Sequence, residues 1–207
     1  MVVQTSNRLK NSPGRTSNLW GGGDSSSLNT HALHRPPVIE TARLSLVVLL
    51  PSEIEALIQG DTKRATQLAG ATFPSAWPED AEAQEGLTWH LRHLRADAAQ
   101  QAWRIRVMVE RESGVVVGSI NLKGPPNAHG DVEIGWGVNE DRRRRGYAFE
   151  AASAVLKWAA CEPGVRVFSA TIPEDNVSSQ ELAKKLGMAR TSETRRGLPV
   201  WIRAAAV

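Results

Sequence analysis

A chain of 207 residues, 41% hydrophobic and 23% charged, is long enough for one well-buried core, and it holds no apolar run near the ~20 residues that a membrane span requires. Its net charge of +3 arises entirely in residues 1–37, where Arg8, Lys10, Arg15 and Arg35 face Asp24 alone. The neutral remainder has no global field to steer it to a polyanion, and a single cysteine, Cys161, excludes an internal disulfide or a multi-cysteine metal site.

Residues 1–37 are rich in Ser, Asn, Thr and Gly and end in Pro36 and Pro37, so a disordered tail is expected there, with a folded domain over 38–207. Residues 41–49 alternate as a strand through Leu44, Leu46 and Val48. Pro51 and Ser52 open a short helix, with Ser52 and Glu55 spaced as a capping box. A loop over 70–78 leads to a helix over about 78–98, whose Leu87, Leu91 and Leu94 share one face. His90 and His93 on this helix lack a visible third ligand, so no metal is expected.

Strands over 103–111 and 115–122 flank a turn at Gly114, and a fourth strand over 132–138 follows the loop 124–130. A helix over 147–160 and a fifth strand over 166–172 come next. Ser178 and Glu181 suggest a second capping box, opening a helix that stops at Gly187. A last hairpin, 191–194 with 198–203, turns at Arg195, Arg196 and Gly197. This order predicts an α/β (α+β) fold, a mixed, mostly antiparallel sheet between helices.

The segment 134–148 is the informative one. A strand ends, four arginines (Arg142 to Arg145) follow, and a helix begins near Tyr147. The first N–H groups of a helix have no intrahelical partner and carry partial positive charge, so a phosphate placed there meets several donors at once. Gly146 and the small Ala148 leave room for the approach. A solvated turn, a nucleic-acid patch or a basic targeting cluster are the other readings of the arginine run.

Arg143-x-x-Gly146-x-Ala148 resembles the acyl-CoA motif Arg/Gln-x-x-Gly-x-Gly/Ala of the GNAT superfamily of N-acetyltransferases. The stretch 41–46 resembles the opening strand of its RimJ/RimL-like branch, and 133–138 its fourth strand. Asn176 and Ser179, followed by Leu186, Gly187 and Met188, resemble its last helix. These landmarks fall in family order over about residues 38–203.

The resemblance implies a GNAT fold, with six to seven strands, about four helices, and fourth and fifth strands that start parallel and splay apart. It implies that the pantetheine arm of acetyl-CoA pairs with backbone on Trp136, Gly137 and Val138. The amides of Arg143, Arg144, Arg145, Gly146, Tyr147 and Ala148 would hold the pyrophosphate. Asn176 would bond the pantetheine, unless it is simply a turn or helix-start residue. Glu133 is the candidate base, against the alternative of a solvated strand carboxylate. Ser179 is the candidate acid, because Ala183 stands where many members carry a tyrosine. Trp77 and Trp89 lie in the region that lines the acceptor side, where they would contact the substrate unless, as is the default for such residues, they pack in the core.

The implied activity is transfer of an acetyl group from acetyl-CoA to a primary amine, a protein N-terminus or a small molecule, by direct attack in a ternary complex. A cytoplasmic monomer or homodimer is expected, without a metal or a membrane partner and with nucleic acid disfavoured. Two rivals are a catalytically silent CoA-binding regulatory domain and a nucleic-acid module built on the four arginines.

Overall fold

The computed structural model describes residues 35–205. Most of the expected tail, residues 1–34, lies outside the described residues. Arg35 pairs with the buried carboxylate of Glu53, and the Pro37 carbonyl accepts from Arg106 at 3.1 Å, so the last residues before 38 touch the fold.

In chain order the elements are β1 (Ile39–Glu40), β2 (Leu44–Val48), α1 (Pro51–Ile58), α2 (Thr62–Ala69), α3 (Ala81–Ala96), β3 (Arg106–Glu110), β4 (Val116–Leu122), β5 (Asp131–Val138), α4 (Tyr147–Ala160), β6 (Val167–Thr171), α5 (Val177–Lys185), β7 (Ala189–Arg195) and β8 (Leu198–Ala204). One eight-stranded sheet results, in the order β1-β2-β3-β4-β5-β6-β8-β7. Every neighbouring pair is antiparallel except β5 with β6. The sheet is wider by a strand than expected, and α2 and the two-residue β1 are additional elements.

Alternation along the strands buries both faces. One core joins Leu44, Leu46, Met108, Ile120, Val132, Ile134 and Phe168 to the inward stripe of α4, Ala151, Ala152, Val155 and Ala159. The other packs Val107, Val109 and Val116 against Ile54 and Leu57 of α1 and Leu87, Leu91 and Leu94 of α3. Gly118 is obligatory where β4 crosses β5, since a Cβ there would stand 2.3 Å from the Gly137 carbonyl oxygen.

Two helix starts differ from the expected capping boxes. Pro51 occupies the first helical position of α1, where its missing N–H costs nothing, and Glu53 accepts the Leu50 N–H at 2.8 Å. Glu55 instead pairs with Arg95 of α3 at 2.7 Å. The cap of α5 is Asn176, whose Oδ1 accepts the Ser179 N–H at 3.1 Å; Ser178 only donates to that same oxygen.

Candidate functional site

Between β5 and α4 the chain makes a single 3-10 turn, Glu140–Arg142, and then the arginine turn. Arg144 (φ 60°) and Gly146 (φ 83°) take positive φ and alternate in sign with the extended Arg143 (φ −64°) and with Arg145. Such alternation curls successive N–H groups into an anion-binding concavity. Arg144 pays about 1–2 kcal/mol for this conformation, since its Cβ crowds the backbone there. Among the described residues, no protein acceptor meets the N–H of Arg144, Arg145, Gly146, Tyr147, Ala148 or Phe149. The Arg143 N–H is engaged by the Glu140 carbonyl at 3.4 Å, so the open row runs from 144 to 149, one place later than expected.

The turn is braced from outside. Arg43, between β1 and β2, donates to the Arg145 carbonyl at 2.9 Å, pairs with Glu150 in the first turn of α4 at 2.7 Å, and lies 4.7 Å from the Tyr147 ring centre. The Tyr147 hydroxyl donates to Glu110 at the end of β3, which also faces Arg142 at 3.5 Å. That bond, reinforced by Ser113, holds the Glu110 carboxyl below the usual carboxylate range and raises the Tyr147 phenol. Tyr147 is thus buried as an anchor and contributes its backbone to the turn. Arg43, Glu110 and Glu150 had no sequence signal, because they converge on the turn from distant parts of the chain.

Beside the turn the sheet opens. β5 pairs with β6 only from Asp131 to Glu133, opposite Val167 to Ser169, whereas β4 follows β5 to its end. β6 stays with β8 as far as Thr171 and Val200, and Pro173 then ends any strand pairing. Lys123 N–H bonds the Glu133 carbonyl and Asn139 N–H the Val117 carbonyl, which fixes the alternation of β5. Glu133, Gly135 and Gly137 turn their backbone to β4. Trp136 and Val138 therefore turn theirs into the gap, where the Val138 carbonyl accepts from Arg143 Nε at 3.1 Å. Gly137 leaves space instead of a hydrogen bond, a correction to its expected role. The Trp136 indole reaches Ser179 Oγ of α5 at 3.3 Å, so the two candidates meet where β5 and α5 approach.

On the α3 side of β5, Glu133 is a clamped carboxylate with a side chain only 10% exposed. Thr171 Oγ1 donates to it at 2.7 Å, as do Arg195 and Arg196 from the turn of the β7–β8 hairpin. Burial raises its pKa, but the three donors outweigh that and hold it below the usual range. This excludes the solvated-carboxylate reading, and it makes Glu133 a weak base in this arrangement. Arg195 also pairs with Asp131 at 2.9 Å. Sequence alone placed Arg195 and Arg196 in a turn, and nothing local reported a carboxylate about sixty residues away. Trp89 is half-buried, with Arg104 at 5.0 Å and Lys123 at 5.4 Å from its ring centre. Trp77, 5% exposed and edge-on to Phe73, packs in the core, the default reading for it rather than acceptor contact.

A family model described as an acetyltransferase (GNAT) domain matches residues 43–189. The chain is 27% identical over 150 residues to the uncharacterized N-acetyltransferase YjdG of Bacillus subtilis (strain 168), spanning 72% of this chain and 88% of that protein. The acetyltransferase from Agrobacterium tumefaciens str. C58 has a similar fold, with a TM-score of 0.56 at 19% identity, covering 91% of this chain and 98% of that one. RimL, a ribosomal L7/L12 alpha-N-protein acetyltransferase solved in complex with coenzyme A, gives 0.55 at 17% identity, covering 81% and 98%.

Proposed function

This chain belongs to the GNAT acetyltransferase family, and from that premise we propose that it moves an acetyl group from acetyl-CoA to a primary amine by direct attack in a ternary complex. The observation that carries the reading is the row of unpartnered amides from Arg144 to Phe149 continuing the open edge of β5. The pyrophosphate lies against those amides, with Arg143, Arg144 and Arg145 adding charge. The pantetheine arm runs back along Trp136 and Val138 as an added strand, and the Asn176 amide, its oxygen already used by α5, donates to it through nitrogen.

This route brings the thioester towards the start of the splay, near Glu133. The Trp136 N–H, the nearer of the two gap-facing amides to Glu133, polarises the carbonyl, and holding both reactants in one cleft supplies much of the acceleration. The amine nitrogen bonds the carbonyl carbon, the carbon–sulfur bond breaks, the amine loses a proton and the thiolate gains one. With its pKa depressed, Glu133 orients the amine and accepts its proton through water rather than by direct abstraction. Ser179, beside Trp136, is the candidate donor to the thiolate.

A thermal shift with acetyl-CoA tests the cofactor site. At a hundredfold excess over Kd the ligand stabilises the fold by about 2.7 kcal/mol, a rise of roughly 5–10 °C for a domain of this size. An Arg143→Ala, Gly146→Glu double variant should lose most of that rise, measured against its own unliganded melt. An equal rise in both proteins would place the cofactor elsewhere. The clamped Glu133 and Ala183 also suit a CoA-binding regulatory domain; acetyl-CoA binding without turnover on any amine would select it.

A further inference from the structure

β4 and β5 set Lys123 directly opposite Glu133, their backbones hydrogen-bonded at 2.9 Å, which puts both side chains on the α3 face. Asp131, two residues before Glu133, shares that face. Together with Gly124, Pro125 and Arg195 these residues line a cavity of about 190 Å³. It lies over the paired residues of β5 and β6, between them and the 124–130 loop, on the sheet face opposite α4.

The charges in this cavity do not balance internally. Glu133 is taken by Arg195 and Arg196, and one oxygen of Asp131 by Arg195. Lys123 is half-buried, yet among the described residues it forms no salt bridge; its ammonium lies 5.4 Å from the Trp89 ring centre and feels Glu133 and Glu82 only from beyond contact distance. Burial, the largest influence, pulls its pKa down. An ammonium withdrawn from water without a directly paired anion is unfavourable, so the cavity is complementary to a negative group. The other oxygen of Asp131 is the converse, a buried acceptor without a donor. One vacancy calls for an anion and the other for a hydrogen-bond donor, within one small space.

We infer that this cavity is the acceptor subsite and that it selects an amine bearing its own carboxylate, an amino-acid-like zwitterion. The carboxylate pairs with Lys123, and the ammonium lies by Asp131 and Glu133 before it is delivered as free amine. Arg196, exposed at the rim, is within the same charge network and adds to the attraction for the carboxylate. The inference rests on the acetyltransferase reading above, and the measurements separate the two.

Initial rates of thiol release from acetyl-CoA are measured for glycine, alanine, serine and aspartate, each against its own carboxamide. The amides carry more free amine at a given pH, so intrinsic reactivity runs against the selectivity expected. The acids are expected to show kcat/KM at least tenfold above their amides, and Lys123→Gln to bring that ratio to near one. As a readout independent of turnover, the same acids are expected to raise the melting temperature of the CoA-saturated protein, and not that of Lys123→Gln. Acetyl-CoA binding with equal or better use of the amides, or with no melting shift from any acid, overturns the acceptor class and leaves the family activity standing. Failure of acetyl-CoA to bind at all overturns both.

Discussion

His90 shows how a residue's surroundings override its ordinary chemistry. It sits on α3 with 1% exposure, edge-on to Trp89 and beside Lys123 and Arg104. Burial first, and then those cations, pull its pKa from 6.5 to about 3, so the imidazole is neutral in the folded protein. The unfolded chain takes up the proton near pH 6.5, whereas the folded one does so only near pH 3. The stability tied to His90 is therefore complete above pH 6.5, falls by up to about 1.4 kcal/mol per pH unit on acidification, and levels below about pH 3. His90→Gln is expected to flatten urea-derived stability between about pH 4 and 6.5; an unchanged slope would mean that the imidazole titrates normally. The sequence offered no visible third ligand beside His90 and His93. It could not supply the pKa, because the two cations come from β4 and from the segment before β3.

At the level of elements, Asn176 is the instructive position. Its side-chain oxygen caps α5, a contact of a kind worth about 1 kcal/mol, while its nitrogen is assigned above to the cofactor. Asp caps a helix as well as Asn but cannot donate. Asn176→Ala is expected to lose about 1 kcal/mol of stability, and Asn176→Asp to keep it while binding acetyl-CoA about tenfold more weakly, the equivalent of one lost hydrogen bond. Titration of both variants by calorimetry decides this, and unaltered affinity in Asn176→Asp would reduce the residue to a cap. Caps were also where the sequence misled: Ser178 and Ser52 have the right residue types, yet the cap positions are Asn176 and Leu50, two residues earlier in each helix. Helix α2 escaped notice because Ala65 is its only buried residue, so its apolar periodicity is faint despite Asp61 at one end and Gly70 at the other.

The molecule as a whole is a sheet whose halves separate along one seam. β1 to β5 and β6 to β8 are two antiparallel runs, and the parallel register from Asp131 to Glu133 joins them. A strand edge left open inside a sheet should exchange its amides with solvent although residues on both sides are protected. Hydrogen exchange of the free protein is expected to be fast at Trp136, Val138 and 144–149, and at least tenfold slower with acetyl-CoA bound, following site-resolved amide signals. Protection that is already high without ligand would mean that the seam is closed in solution.

The chain order of strands and helices, the arginine turn before α4 and the family resemblance were legible in the sequence because each depends on neighbouring residues: a period, a cap, a six-residue motif. The resemblance implied the splay, but the residue at which the seam opens, the arginine clamp on Glu133 and the unpaired Lys123 were decided only by the tertiary structure. Each depends on the separation between groups distant in sequence, and Coulomb and desolvation energies follow that separation in space and not along the chain.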